Sequence, residues 1–450
     1  MPTYHLAIDD TDSLRMGCTT YVGALIVERL LPEARFVDYP NLIRLNPNVP
    51  WKSRGNAAVC LRFSSARTEG EILELAASIV EENRDRLDGK NQPGIALLEG
   101  EVPPQVKEFG RRALFDVLSL EEAYRVAAQS KIGFRTIRGG RGLIGAVAAI
   151  GNTLEADHTF ELIVYRKRDA WGSPRKVDAE SVRSMDKETA PHTFNNIDPE
   201  TNRILITPHG PDPILFGIRG ESPGVVIDAL GKLVFEEGEK WIIYRSNQGT
   251  DAHMINRPKI SSLTPYQAAV IEGAVSKKPV TLRGGHTIVE VADGSGCIDA
   301  AAYQQSGDIE RAARALLPGD IVRVYGGVRV LDEGEAGGKL TLNLERLDVL
   351  ELVDSVKRNP LCPRCGVRMK AKGRNKGFEC EKCGKKSESP VIENIPRQVR
   401  KGTYLPPPRS LRHLAKPPRR LGLEKLSWDG TVGRFFGSLN PQHPAEDPRL

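Results

Sequence analysis

The chain has 450 residues, a net charge of +6 and 40% hydrophobic residues. This length exceeds what a single hydrophobic core supports and predicts about three or four domains, and the hydrophobic fraction excludes a disordered chain. No apolar run approaches the roughly 20 residues that span a bilayer, and the start, MPTYHLAIDD, lacks the features of a signal peptide. We therefore expect a cytoplasmic multidomain protein with no membrane partner.

The first part of the chain, residues 1–127, alternates strand-like and helix-like patterns. The patterns predict strands at 4–8, 57–63 and 93–98, and helices at 18–31, 69–87 and 120–130. Such alternation is typical of an α/β or α+β layer.

The middle part, residues 128–265, opens with a Gly-rich apolar stretch at 138–151. Strands are predicted at 158–166, 203–207, 233–236 and 241–245. Between them, 208–223 (PHGPDPILFGIRGESP) is crowded with Pro and Gly, which predicts a loop of fixed shape. Fixed loops often belong to binding sites.

The segment 270–352 changes character to short β-branched runs separated by Gly-bearing turns. From residue 278 onwards, five such runs with a helix pattern at 308–316 before the fourth favour an OB-fold. Another small β-barrel remains the alternative.

Two CxxC-Gly motifs predict a structural zinc site in the segment 356–390. Of the seven cysteines, Cys18, Cys60 and Cys297 are isolated, so a disulfide framework is not expected. Four thiolates at this spacing can surround one Zn²⁺ and leave no position for a catalytic water. The four cysteines are Cys362, Cys365, Cys380 and Cys383. Basic residues suited to phosphate contact surround them, namely Arg364, Arg368, Lys370, Lys372, Arg374 and Lys376.

The C-terminal part is basic and rich in proline. Lys and Arg dominate 357–386 and 396–420, which suggests a surface that faces nucleic acid, although a solvated basic surface is equally compatible. Residues 391–450 contain few core-forming side chains and predict an arm with little structure of its own.

The strongest candidate for catalysis is the run Asp9-Asp10-Thr11-Asp12-Ser13, which directly follows a predicted strand. Carboxylates this close repel one another unless a cation lies between them, and oxygen ligands suit Mg²⁺ bound to nucleotide phosphates. Shortly afterwards a predicted helix begins, and its amides form a phosphate site beside Gly17, Cys18, Thr19 and Thr20. The alternative is an Asp-rich turn followed by a threonine cap; a Walker A loop is absent.

Other candidates carry weaker signals. His158 and His209 are single histidines, which are more often structural than catalytic. The loop Asn247–His253 (NQGTDAH) offers amide, hydroxyl and carboxylate groups, including Asn247, Asp251 and His253, that either contact RNA or bind nothing. Close approach to a ligand or tight packing would explain the glycines at 139, 140, 142 and 145.

Taken together, these stretches resemble the archaeal tRNA(Ile) 2-agmatinylcytidine synthetase family. The resemblance rests on IDDTDS with GCTTY, GLIGAVAAIG with TFELIVYR, PHGPDPILFGIRGESP, SNQGTDAH, the OB-like segment and the CxxC pairs. It covers the chain to about residue 390. It implies an α+β multidomain protein with a kinase-like domain, a ferredoxin-like domain, an OB-fold and a zinc ribbon.

The resemblance implies that the protein attaches agmatine to C2 of the wobble cytidine of tRNA(Ile) with the CAU anticodon, the second isoleucine isoacceptor. ATP would be split to AMP and pyrophosphate, its γ-phosphate activating the C2 oxygen. Asp9, Asp10 and Asp12 would hold Mg²⁺, and Thr19 matches a threonine that becomes phosphorylated, with Thr20 as second choice. We expect agmatine at Asp212 and Glu221, and stacking aromatics such as Tyr303 or Tyr325 in the OB-fold.

Two other functions remain open. A non-enzymatic nucleic-acid-binding protein would explain the OB-fold and zinc ribbon but not DDTDS. A Mg²⁺-dependent phosphoryl- or nucleotidyl-transferase acting on another RNA would use the carboxylates but not agmatine. The sequence contains no signal of the oligomeric state.

Overall fold

The computed structural model describes residues 1–13, 17–52, 55–84, 90–331, 338–373 and 376–439. Its N-terminal and middle parts form one mixed sheet with helices on both faces. The strands are β1 (Thr3–Asp9), β2 (Ala34–Phe36), β3 (Asn41–Arg44), β4 (Ala57–Ser65), β5 (Gly94–Glu99), β6 (Gly133–Thr136), β7 (Thr159–Arg166), β8 (Thr193–Phe194), β9 (Ile214–Gly220) and β10 (Gly238–Ser246). The helices are α1 (Thr19–Leu30), α2 (Glu69–Asn83), α3 (Pro104–Arg112), α4 (Leu120–Gln129), α5 (Gly142–Gly151), α6 (Ala179–Thr189) and α7 (Pro223–Leu230).

The sheet runs in the order β6-β5-β1-β4-β3-β10-β7-β9-β8. Its N-terminal and middle halves meet where β3 pairs in parallel with β10, Asn41 opposite Arg245. Apolar side chains from α1, α2, α6 and α7 cover one face, and those from α3, α4 and α5 cover the other. Both β6 and α5 lie beyond residue 127, where the first domain was predicted to end, yet they pack on β5 and β1. The domain borders themselves stay a prediction.

Most predicted elements of this sheet are confirmed. The strands predicted at 4–8, 57–63 and 93–98 coincide with β1, β4 and β5. Helix α2 begins after a capping box of Thr68 and Glu71 and ends at Asn83; residues 85–87 of the predicted helix lie outside the described residues.

Three expectations for the middle part are wrong. Residues 203–207 and 233–236 form only isolated bridges, Ile197 with Ile204 and Val177 with Phe235, rather than strands. The stretch 208–223 is not all loop, because its apolar run ILFGI forms β9 and pairs with β7. Its Pro and Gly residues predicted a loop although the apolar residues between them form a buried strand.

The predicted OB-fold is a closed barrel. It contains β11 (Ala268–Val275), β12 (Val280–Thr281), β13 (Thr287–Ala292), β14 (Cys297–Ala302), α8 (Asp308–Arg314), β15 (Ile321–Leu331) and β16 (Lys339–Glu351). The order β11-β15-β16-β14-β13 closes because β13 pairs back on β11, and α8 precedes β15 as expected. The first barrel strand lies ahead of residue 278, and the predicted strand KPVTL yields only the two-residue β12.

The zinc-ribbon segment consists of short antiparallel pairs. Its strands are β17 (Ser355–Arg358), β18 (Lys370–Ala371), β19 (Phe378–Glu379), β20 (Lys386–Ser387) and β21 (Val391–Asn394). Strand β17 pairs with β21, and β19 lies between β18 and β20. Arg374, predicted to face phosphate, lies outside the described residues.

Residues 396–439, which we call the strap, contradict the predicted unstructured arm. Strand β22 (Gly402–Tyr404) pairs with β16, and β23 (Phe436–Ser438) pairs with β10 inside the main sheet. The strap is ordered because its cations form ion pairs with the body, for example Arg397 with Asp320 at 2.6 Å. Residues 440–450 of the predicted arm lie outside the described residues.

Candidate active site

One cavity of about 510 Å³, the main cavity, lies where β1 ends and α1 begins. Side chains from the N-terminal part, the middle part and the strap line it. The predicted residues that line it are Asp9, Asp10, Asp12, Cys18, Thr19, Thr20, His209 and Asp212. Ser13 is buried beside them, and Gly17 adopts a φ of 82° at the turn that leads into α1.

The carboxylates at the end of β1 are held close together. Asp9 Oδ1 accepts the backbone N–H of Asp10 at 2.7 Å, and Asp10 Oδ2 accepts the N–H of Gln92 at 2.9 Å. A Cβ on Gly145 would lie 1.8 Å from Asp9 Oδ2, so only glycine lets α5 approach this carboxylate. Burial, with the charges of Asp10 and Asp12, raises the pKa of Asp9 well above its usual range. A bound cation would offset both effects, as a Mg²⁺ site requires.

The start of α1 faces the same cavity. Cys18 is the extended N-cap residue, and its side chain makes no capping hydrogen bond within the part of the chain that the structure describes. The Thr11 hydroxyl donates to Thr19 Oγ1 at 3.1 Å, which fixes the Thr19 side chain. The positive end of the helix dipole and two hydroxyls therefore lie beside the carboxylates, an arrangement suited to a phosphate chain with its metal. Burial raises the pKa of Cys18 to about 11, which favours the protonated thiol over the nucleophilic thiolate.

A cluster of basic side chains that sequence reasoning missed, two arginines and a histidine, lines the main cavity. Arg44 ends β3, Arg219 lies on β9 and His413 comes from the strap. Arg219 Nε lies 3.1 Å from Glu161 Oε1, and Arg219 Nη2 donates to His413 Nδ1 at 3.1 Å. The charge of Arg44, then burial and Arg219, hold the pKa of His413 well below its usual range, so the imidazole is neutral.

The buried Glu161 anchors this cluster. Gln248 Nε2 donates to its second oxygen, and a Cβ on Gly217 would lie 2.8 Å from the first. A glutamate within the fully buried strand TFELIVYR is unusual because a buried charge is costly unless it is paired. That single acidic residue was the sequence signal that could have identified the cluster.

The candidate substrate residues separate into two groups. Asp212 lines the main cavity, 3.1 Å from Arg175. The other four, including Glu221, which was expected to bind agmatine together with Asp212, do not line this cavity: Glu221 pairs with Arg420 at 2.6 Å and Lys425 at 2.7 Å, Asn247 bonds both backbone groups of Arg44, Asp251 accepts the N–H of Lys416, and His253 lies 3.0 Å from Glu345.

The remaining single histidine, His158, is structural. Its Nδ1 bonds the carbonyl of Ala156 at 2.7 Å, and its ring packs edge-on against Phe160 and Trp428. Burial lowers its pKa to about 4.

The two aromatic residues that were predicted to stack on bases differ in how exposed their rings are. Tyr325 is buried; its hydroxyl donates to Asp348 and Arg346 covers its ring at 4.6 Å. The partly exposed Tyr303 donates to Asn343 at 3.0 Å. Of these two, Tyr303 therefore remains the candidate for base stacking.

The four predicted zinc ligands lie together. The Sγ atoms of Cys362, Cys365, Cys380 and Cys383 all fall within 4.8 Å of one another. A tetrahedron with Zn–S distances of about 2.3 Å has edges of about 3.8 Å, so these thiolates fit Zn²⁺.

Comparison with known proteins identifies four regions of the chain up to residue 399. Family models match as the TiaS TCKD domain at 5–72, the TiaS FLD domain at 140–253, an OB-fold nucleic acid binding domain at 269–350 and the TiaS C-terminal zinc ribbon domain at 359–399. No helix among the described residues is both long and apolar enough to cross a bilayer.

Full-length relatives and solved structures agree with these matches. The tRNA(Ile) 2-agmatinylcytidine synthetase TiaS of Methanosarcina mazei is 39% identical over 92% of this chain and 96% of its own. That of Staphylothermus marinus is 41% identical over 94% of both chains. A crystal structure of TiaS with its isoleucine tRNA and ATP matches with a TM-score of 0.80 and 35% identity, over 96% of this chain and 99% of that one. A complex of TiaS with the tRNA, AMPCPP and agmatine matches with a TM-score of 0.78 and 32% identity, over 96% and 99%. The chain therefore belongs to the TiaS family of tRNA(Ile) 2-agmatinylcytidine synthetases.

Proposed function

We propose that this protein is an ATP-dependent ligase that attaches agmatine to C2 of the wobble cytidine, position 34, of tRNA(Ile) with the CAU anticodon. The modified anticodon then reads AUA. The observation that carries this proposal is the main cavity, which joins a carboxylate cluster, the start of α1 and a further carboxylate, Asp212, in one site. Relatives that are 36–41% identical along almost the whole chain carry this activity in their names.

The chemistry explains why the site combines these groups. The C2 carbonyl of cytosine is urea-like and a poor electrophile, so its oxygen must first become a leaving group. Transfer of the ATP γ-phosphoryl group to O2, with ADP as the leaving group, achieves this; formation of AMP and pyrophosphate would require separate cleavage of an ATP between its α- and β-phosphates. The agmatine amine then attacks C2, the C2–O2 bond breaks, and O2 leaves as part of inorganic phosphate.

We assign the triphosphate to the junction between β1 and α1. Asp9, Asp10 and Asp12 would hold Mg²⁺, whose charge would offset the negative charge on the transferred phosphoryl group. The start of α1 would hold phosphate oxygens. Thr19, fixed by Thr11, is the hydroxyl best placed to accept a phosphoryl group, with Thr20 next to it.

We assign the agmatine guanidinium to Asp212, the candidate substrate carboxylate that lines the main cavity. The cytidine must leave its stack to enter the cavity, as in other enzymes that modify bases. The zinc ribbon, with a structural Zn²⁺, and the OB-fold would hold the tRNA from outside. Because the substrate is tRNA, we place the reaction in the cytoplasm.

Mass spectrometry of nucleosides tests the proposal. An unmodified transcript of the CAU isoleucine tRNA is incubated with the protein, ATP, Mg²⁺ and agmatine, and then digested. We expect a cytidine heavier by agmatine minus water, absent when ATP or agmatine is omitted. An unchanged cytidine despite tRNA binding would refute the ligase assignment.

A further inference from the structure

A second cavity of about 350 Å³, the side cavity, adjoins the main cavity. Its walls come from the loop after β3, from β15 of the OB-fold and from the strap. It shares lining residues with the main cavity, namely Arg44, Leu45, Lys52, Gly55, Leu411 and His413. A chain that occupies one cavity can therefore continue into the other.

The side cavity is strongly cationic. Arg44, Lys52, Arg329 and Arg412 line it, and its lining includes no aspartate or glutamate among the residues that the structure describes. Burial, then Arg412 and Arg329, lower the pKa of Lys52. Burial and Arg412 likewise lower the pKa of Arg329. Lys52 and Arg329 therefore lie in a positive field that the carboxylates near Arg44 and Arg412, Glu161 and Glu345, offset only in part.

The contacts of each cation support the excess of charge. Among the described residues, Glu345 is the carboxylate that reaches Arg412, at 3.2 Å, and His253 shares it. Arg329 donates to the backbone carbonyl of Asn48 at 2.9 Å, a neutral partner. No carboxylate within the described ranges lies in ion-pair distance of Lys52 or Arg329. An anion would complete the site.

The position of the side cavity identifies the anion. The triphosphate has its own place at the carboxylates and α1, whereas Arg329 lies near the C-terminal end of β15, the fourth barrel strand; in OB-folds the loop between the fourth and fifth strands contacts single-stranded nucleic acid. A nucleotide that enters the main cavity remains joined to its neighbours through phosphodiesters. We propose that the side cavity binds a phosphodiester next to the modified cytidine through Lys52, Arg329 and Arg412.

This inference rests on the proposed function, since it takes the nucleotide in the main cavity to be part of an RNA chain. The shared chemistry is a phosphate group, which could also belong to free pyrophosphate or to ATP. The strap thus has a role in the reaction: Arg412 binds the RNA strand and the neighbouring His413 lines the main cavity.

The salt dependence of tRNA binding tests the inference. The double variant Lys52→Gln/Arg329→Gln is compared with wild type and with Arg323→Gln, a cation on the same strand paired with Glu272. Loss of one single-stranded phosphate contact should reduce the slope of log K against log salt by about 0.7. We expect about tenfold weaker binding of the CAU isoleucine tRNA at moderate salt, an unchanged KM for ATP, and an unaltered slope for Arg323→Gln.

Two further measurements distinguish the sources of phosphate. The charge-conserving variant Lys52→Arg/Arg329→Lys should restore the slope, which separates charge from folding. An unchanged salt slope in Lys52→Gln/Arg329→Gln would overturn the proposal. So would intact tRNA binding by this variant together with a raised KM for ATP or weaker inhibition by pyrophosphate. If the slope falls as expected but wild type forms no agmatinyl product, the proposed function fails and the RNA site stands.

Discussion

The N-terminal motif and the strap lie against the same cavity, yet they relate to the sequence in opposite ways. DDTDS and GCTT form a strand end and a helix start within about ten residues of each other, and the carboxylates and hydroxyls lie together as expected. The strap has the composition of a disordered basic arm, but it pairs with the main sheet and the barrel. Local motifs specify local geometry, whereas the strap is ordered only by partners far away in the chain.

The largest expected effect is at the local motif. Asp12→Ala and Thr19→Ala should each reduce agmatinylcytidine formation at least about a thousandfold, because each removes a group that we assign to the transferred phosphoryl group. Product is measured by nucleoside mass spectrometry. Binding of tRNA should be largely intact, and the exposed Asp169→Ala should behave as wild type. Lost binding in the first two variants would make the motif a folding element instead.

The second effect concerns the order of the strap. Arg420 is fully buried and pairs with Glu221 and the partly buried Asp157, so Arg420→Met removes both ion pairs and, among the described residues, leaves these carboxylates with Lys425 and Lys416 alone as ion-pair partners, at a cost of about 3 kcal/mol. Limited proteolysis should then cleave within 405–435. The neighbouring Arg419→Met breaks a partly exposed pair with Asp186 and should cost no more than about 1 kcal/mol. Equal cleavage of both variants would contradict the buried anchor.

A third effect separates tRNA binding from chemistry. Cys365→Ser should release the zinc and weaken tRNA binding at least about tenfold, because the basic surface around the ribbon loses its shape. Activity at saturating tRNA should persist. Cys297→Ser, at an exposed cysteine outside the cluster, serves as the control. Unchanged affinity with zinc lost would exclude the ribbon from tRNA contact.

The smallest effect is a pH dependence of the strap. Although burial opposes it, hydrogen bonds from Arg409 and Thr201 lower the pKa of Asp198 to about 2. A lowered carboxyl pKa stabilises the folded state above the unfolded value near 4, and this contribution disappears as the pH falls towards 2. Thermal unfolding from about pH 5 to about pH 2.5 should show a steeper loss of stability for wild type than for Asp198→Asn. Parallel curves would refute the contribution.

Physical reasons explain which features the sequence could predict. Asp9, Thr19 and the four zinc cysteines form sites with residues nearby in the sequence, so their spacing alone predicted which side chains lie together. Arg44, Arg219 and His413 come from three distant segments that meet only in the folded chain. Glu221 and His253 have the character of exposed polar groups, and the partners that bury them, Arg420 and Glu345, lie far away in the sequence.

Departure of the cytidine O2 as phosphate is the step on which the proposed chemistry depends. It can be followed directly with the CAU isoleucine tRNA carrying ¹⁸O at O2 of cytidine 34, by mass spectrometry of the products. All label lost from the nucleoside should appear in inorganic phosphate, at one atom for each agmatine attached. Label in AMP would show that the oxygen is adenylylated instead, and label that stays in the modified nucleoside would rule out displacement at C2.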